Sequence, residues 1–277
     1  MSRSDAMSNV SAYKLLTVLS LIVVLTADAL AHEYWIEPAK FSIAKGEKTQ
    51  VKLLLGDGLV KDVEERPFQA DKTTVFSVFS RRQTLDLRSR LADGATPLYE
   101  FTGAEMGNYL FAMERTWSYI TIEPDQFDAY LREDGMEYII AEREKLGESK
   151  RPGRERYARF LKSLLQVGRK GDDTYKKRTG LTVELIPQAN PYSKKVGDLI
   201  SFQALLDNKP LAGYTVFADN RQTGKKKLLT DKNGKFTFKL DAPGLWLTRL
   251  VFMRRCKVDC GDADWESFWA SFSFVIE

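Results

Sequence analysis

The chain has 277 residues, 43% hydrophobic and 29% charged, a balance that builds one or two buried cores and excludes an intrinsically disordered chain. Its formal charge of +4, from 42 basic and 38 acidic residues, is too small and too evenly spread to mark a nucleic-acid groove. Two cysteines exclude a disulfide-dense scaffold and a four-cysteine zinc site, and a lone histidine, His32, excludes any mechanism that needs two imidazoles.

Residues 1–31 read as a secretory leader. Arg3 and Lys14 make a weakly basic start, and the apolar run from Leu15 to Thr26 is too short for a comfortable permanent span. Ala29-Leu30-Ala31 then supplies small residues at the two positions a signal peptidase reads. Cleavage after Ala31 makes His32 the first residue of a periplasmic or secreted protein without a membrane span. Ala27-Asp28-Ala29 fits the same rule, so cleavage after Ala29 is the alternative, and an uncleaved anchor is a third.

Residues 32–122 predict a β-rich unit. Val51 to Leu55 is a short apolar strand closed by Gly56-Asp57-Gly58, and Thr74 to Phe79 alternates with the period of a half-buried strand. Tyr99-Glu100-Phe101 and Tyr109 to Ala112 continue the pattern, with Gly103 and Gly107 between them. Residues 123–168 predict a helical insertion. Glu123-Pro124-Asp125 opens its first helix, and Phe127, Tyr130, Leu131, Met136, Ile139 and Ile140 recur at helical spacing, interrupted by Gly135. A second helix is predicted from Glu155 to about Val167, with Tyr157, Phe160, Leu161, Leu164 and Leu165 as its apolar stripe.

Residues 169–180 read as a connector, and residues 181–277 as a second β-sandwich domain. Leu181–Ile186, Leu199–Leu206, Tyr214–Ala218, Lys235–Leu240, Leu245–Phe252 and Ser271–Ile276 are its strands, and Asn233-Gly234 is a hairpin turn. Lys225-Lys226-Lys227 reads as the solvated tip of a hairpin rather than a patch for an anionic partner. The predicted fold is therefore mainly β: two immunoglobulin- or transthyretin-like sandwiches with a two-helix insertion between them. In an oxidising compartment Cys256 and Cys260 form a disulfide across a very short loop, with a soft-metal dithiolate as the alternative.

Chemistry points to His32. A terminal α-amino group and an imidazole on one residue form a chelate, and an α-amine loses its proton to a metal more readily than a lysine does. Such nitrogen ligands suit nickel or copper. Cleavage after Ala29 would put the histidine third, where the amine, two backbone amides and the imidazole make a four-nitrogen plane. Without a second histidine the remaining positions fall to carboxylates such as Glu33, Asp264 and Glu266, which argues for a weak or transferable site and against oxygen chemistry. The plain alternative for His32 is an exposed side chain at the start of a strand.

Other chemistry fares poorly. A phosphate-binding loop and a helical zinc-protease motif are missing, and a serine or cysteine nucleophile would have to recruit His32 as base. A glycosidase carboxylate pair stays open, because spacing in space is invisible here. Trp35, Trp117, Trp246, Trp265 and Trp269 read as core residues, with a sugar platform as the sharper alternative.

Several runs recur in a known order: Ala31-His32-Glu33-Tyr34-Trp35-Ile36-Glu37-Pro38, Asn190-Pro191-Tyr192-Ser193 with Gly197-Asp198, Lys209-Pro210-Leu211-Ala212-Gly213, Asp231-Lys232-Asn233-Gly234-Lys235-Phe236 and Ala263-Asp264-Trp265-Glu266-Ser267-Phe268-Trp269-Ala270. Together they resemble domain-of-unknown-function family 4198, over nearly all of the chain after the leader. Residues 205–252 separately resemble a carboxypeptidase-regulatory or transthyretin-like β unit. The resemblance implies an exported bacterial protein, and an association of some members with nickel or cobalt uptake implies a metal permease or another envelope protein as partner. The functional expectation is a periplasmic, non-enzymatic protein that binds nickel, cobalt or copper at His32. Its rival is a structural or interaction module that binds an envelope partner or a glycan without metal.

Overall fold

The computed structural model describes residues 32–277; the predicted leader lies outside them. In chain order the strands and helices are β1 (Glu33–Pro38), β2 (Ser42–Ile43), β3 (Lys48–Asp57), β4 (Lys61–Arg66), β5 (Thr73–Phe79), β6 (Thr84–Asp86), β7 (Tyr99–Thr102), β8 (Gly107–Ile122), α1 (Pro124–Glu133), α2 (Glu137–Lys145), β9 (Gly153–Val167), β10 (Val183–Pro187), β11 (Leu199–Leu206), β12 (Lys209–Pro210), β13 (Thr215–Asn220), β14 (Gly224–Leu229), β15 (Lys235–Lys239), β16 (Gly244–Arg255) and β17 (Trp265–Ile276). No helix among the described residues is long and apolar enough to cross a membrane.

One nine-stranded sheet organises the rest. Its strands run in the order β14-β13-β16-β17-β9-β8-β5-β6, with β2 also paired to β9. Every pairing in it is antiparallel except those of β9 with β17 and with β2. Two four-stranded sheets pack on its opposite faces: β1, β3, β4 and β7 on one, β10, β11, β12 and β15 on the other. The residues of β8 show the division. Leu110 and Ala112 point into the core shared with Leu185, Ile200 and Phe202, whereas Phe111 and Met113 point into the core shared with Ile36, Val51 and Leu53. Helices α1 and α2 cover a further stretch of sheet, where Phe127, Tyr130, Leu131 and Ile139 pack on Val251, Met253, Trp265 and Trp269. Each such apolar side chain contributes about 1.5–3 kcal/mol by leaving water.

The mainly β, sandwich character holds, but two expectations change. The predicted second helix over 155–167 is the strand β9. Phe160 and Leu164 go to one core, and Leu161 and Leu165 to the other. A strand covered on both faces carries apolar side chains on both, so its sequence contains the spacing of an amphipathic helix. The boundaries at 122 and 181 change as well. Strands β5 and β8 of the predicted N-terminal domain, β9 of the predicted insertion and four strands of the predicted C-terminal domain lie in the same sheet, so the two sandwiches share their middle layer.

The first predicted helix divides into α1 and α2 at Gly135, whose φ of +73° is left-handed, and a Cβ there would meet Thr215 Cγ2 at 2.4 Å. Arg143 on α2 is buried rather than solvated; its guanidinium lies 4.8 Å from the centre of the Phe127 ring, and its Nη2 donates to the Arg151 carbonyl at 2.8 Å.

Trp35, Trp246, Trp265 and Trp269 are buried, and Trp117 packs partly buried against the core, which makes these tryptophans core residues. Lys225, Lys226 and Lys227 sit on the edge strand β14, where Lys226 pairs with Asp241 and Lys227 with Glu137.

Candidate functional site

Strand alternation separates the residues at the start of β1. His32 and Tyr34 line an open pocket of about 320 Å³, while Glu33 points elsewhere and is buried. Glu33 Oε1 lies 2.7 Å from Arg249 Nη1, and its Oε2 accepts the Gly58 N–H at 3.1 Å. Arg249 also holds Asp134 and Asp219, each at 3.0 Å. Burial drives the Asp134 carboxyl up to about 7, against the pull of Arg249 and with the help of Glu33, and burial likewise raises Asp219.

The other predicted carboxylates are also committed to arginines. Asp264 accepts two bonds from Arg154, both 2.8 Å, which hold its carboxyl below the usual range. Glu266 is buried between Arg156, its direct register partner on β9, and Arg254, whose Nε donates at 2.6 Å. Cys256 and Cys260 are joined in a disulfide, so no dithiolate pair is left. Arg156 donates to the Val258 and Asp259 carbonyls inside that loop at 3.0 and 2.6 Å.

Glu33, Asp264 and Glu266 therefore do not join His32, and the expectation that they complete its ligand set is corrected. Among the described residues no three His, Cys, Asp or Glu side chains gather as a metal would require. The hydrogen bonds among them engage only the His32 carbonyl, which accepts from Arg159 Nη2 at 3.3 Å.

What does line the pocket beside His32 is cationic and aromatic. Arg115 on β8 and Arg159 on β9 are direct register partners, and each is only 7% exposed. Their guanidinium carbons lie 5.2 and 4.2 Å from the centre of the Tyr34 ring, and Arg159 also lies 4.6 Å from that of Tyr157. Cation–π contact of this kind contributes about 0.5–2 kcal/mol.

Gln69 Oε1 accepts from Arg115 Nη2 at 2.5 Å, but Arg115 Nη1 and Arg159 Nε, both buried, have no partner among the described residues. Burial lowers the Arg115 pKa; the neighbouring cations Arg159 and Arg66 push the same way, against the Tyr34 hydroxyl. Lys72 adds a further cation to the lining. An irregularity in the β8–β9 register between Arg115 and Ser118 places Arg115, Ser118 and Ile120 along the same pocket. This lining does not fit a bare divalent cation, which three positive side chains would repel.

Sequence reasoning missed Arg115 and Arg159. In a helix over 155–167, Glu155, Arg159, Lys162 and Gln166 form one solvated stripe; in a doubly covered strand all four are buried. The available signal was the pair of charged residues, Arg159 and Lys162, inside an otherwise apolar run that lacks an N-cap residue.

A family model described as a domain of unknown function (DUF4198) matches residues 29–254. The whole pocket lining falls inside that span, whereas the disulfide, Asp264 and Glu266 fall outside it. No curated protein matches the chain. Because the match covers most of the sequence, from before β1 to the end of β16, the chain belongs to the DUF4198 family.

Proposed function

We propose that this protein is an exported, non-enzymatic binding module of the cell envelope, and that its ligand enters the pocket beside His32. One observation carries the reading: the three carboxylates expected beside His32 are tied to arginines, while the two arginines of this pocket keep buried donors without partners among the described residues. A polar group that is buried and unpaired costs about 1–3 kcal/mol, and a bound ligand recovers it. Tyr34, Tyr157, Gln69 and Ser118 add aromatic and hydrogen-bonding surface for a small polar ligand or a glycan.

Ligand and glycan arrays probed with the exported protein, and with Ser118→Trp to fill the pocket, test this. Binding lost in the variant supports it, and binding unchanged in the variant overturns it.

The expectation of nickel, cobalt or copper at His32 keeps one support, an imidazole that none of the hydrogen bonds among the described residues engages. After cleavage at Ala31 the α-amine and imidazole would form a chelate for a metal, and a metal permease would be the natural partner. Titration of the processed protein with Cu(II), Ni(II) and Co(II) decides it: tighter binding than His32→Ala supports the metal, and equal affinity removes it.

A further inference from the structure

We propose that the pocket is an anion site, in which Arg115 and Arg159 together bind the carboxylate, phosphate or sulfate group of a small ligand. This deepens the binding-module reading and rests on it.

Like charges placed directly opposite each other on adjacent strands destabilise a sheet, and buried charges require a counter-ion. Elsewhere in this molecule that rule is met: Arg249, Arg156 and Lys162 each hold a buried carboxylate. Among the described residues Arg115 and Arg159 hold none. They meet Gln69, the His32 carbonyl and two tyrosine rings.

Arg159 does act on the Glu155 carboxyl, but burial drives that carboxyl up to about 7 and it already accepts hydrogen bonds from Tyr130 and Ser267. Arg159 also lines a small cavity of about 10 Å³, together with Glu33, Tyr34 and Trp269; that is room for one water at most, not for a counter-ion. The open side is the pocket, and Lys72 on its lining adds to the attraction.

The two guanidinium groups are also held in place before any ligand arrives. Gln69 anchors Arg115, and Tyr34 and Tyr157 flank Arg159. An oxyanion that enters therefore gains charge-assisted hydrogen bonds without ordering flexible side chains. The recognised feature is the oxyanion, whichever molecule carries it.

The test uses the full exported chain and four probes: inorganic phosphate, sulfate, glucuronate and neutral glucose. Titration calorimetry should show binding of one or more anions and none of glucose. Arg115→Met and Arg159→Met should each weaken that binding about tenfold or more. Ser118→Trp should abolish it with both arginines kept, and circular dichroism establishes that each variant is folded. Selectivity among the three anions identifies the source of the group. Glucose binding as tightly as glucuronate, or anion affinity unchanged in both arginine variants, overturns the anion assignment. If a neutral ligand binds and only Ser118→Trp abolishes it, the pocket remains the binding site and the anion assignment alone falls. No binding of any probe at millimolar concentration overturns the assignment.

Discussion

Arg115 and Arg159 stand opposite each other on β8 and β9 with the ring of Tyr34 against both, 5.2 Å from the first guanidinium and 4.2 Å from the second. Tyr34 belongs to β1, the strand that begins directly after His32. The aromatic ring thus ties two like charges of the central sheet to the sheet packed above it, and stability in this corner depends on the ring more than on either cation.

Tyr34→Ala should lower unfolding free energy by about 2 kcal/mol, through lost apolar contact and two lost cation–π contacts. Arg115→Met in the ligand-free protein should leave stability unchanged or raise it, since it removes one of two buried like charges. Urea unfolding of both variants checks the contrast. A larger loss in Arg115→Met than in Tyr34→Ala contradicts it.

Glu155 sets a pH dependence. Burial raises its carboxyl from an ordinary value near 4.5 to about 7 in the folded protein. The native state then holds a proton that the unfolded chain releases, so this group's contribution to stability falls as pH rises from about 4.5 to 7. Glu155→Gln keeps a neutral group at that position. The difference in unfolding free energy between wild type and variant should shift in the variant's favour across that window, measured by denaturant titration at several pH values. A difference that stays flat refutes the assignment.

Gly135→Ala should destabilise by about 1–3 kcal/mol, because an alanine at φ +73° is strained and its Cβ would collide with Thr215. The comparison is Gly147→Ala, where φ is also positive, at +68°, but a Cβ meets nothing within 4 Å. Thermal melts should show the larger drop at 135. Equal drops would mean that backbone strain, not contact with Thr215, decides the cost.

Reduction of Cys256–Cys260 should cost no more than about 2 kcal/mol, because the closed loop is short. The Arg156 bonds to Val258 and Asp259 hold the same loop, so its backbone should keep its place. Melts with and without reductant measure the first statement. Amide exchange at Lys257–Asp259 measures the second, and rapid exchange on reduction would show that the disulfide alone holds the loop.

Much of this protein can be read from its residues in order. Alternation marked β5 and β15; Asn233-Gly234 marked the turn before β15; the Pro124 start and apolar spacing marked α1. Those signals are local, because a strand with one wet face, a tight turn and a helix start each impose their requirement on neighbouring residues.

The stretch from Glu155 to Val167 could not be read in this way. Its period depends on whether one face or two are covered, and only the sheets packed on both sides of β9 settle that. The pocket has the same origin. Register, not sequence distance, sets Arg115 opposite Arg159, and the packing of β1 above them brings Tyr34 and His32 to the same spot. A charge shows in sequence; whether it has a partner is decided by the fold.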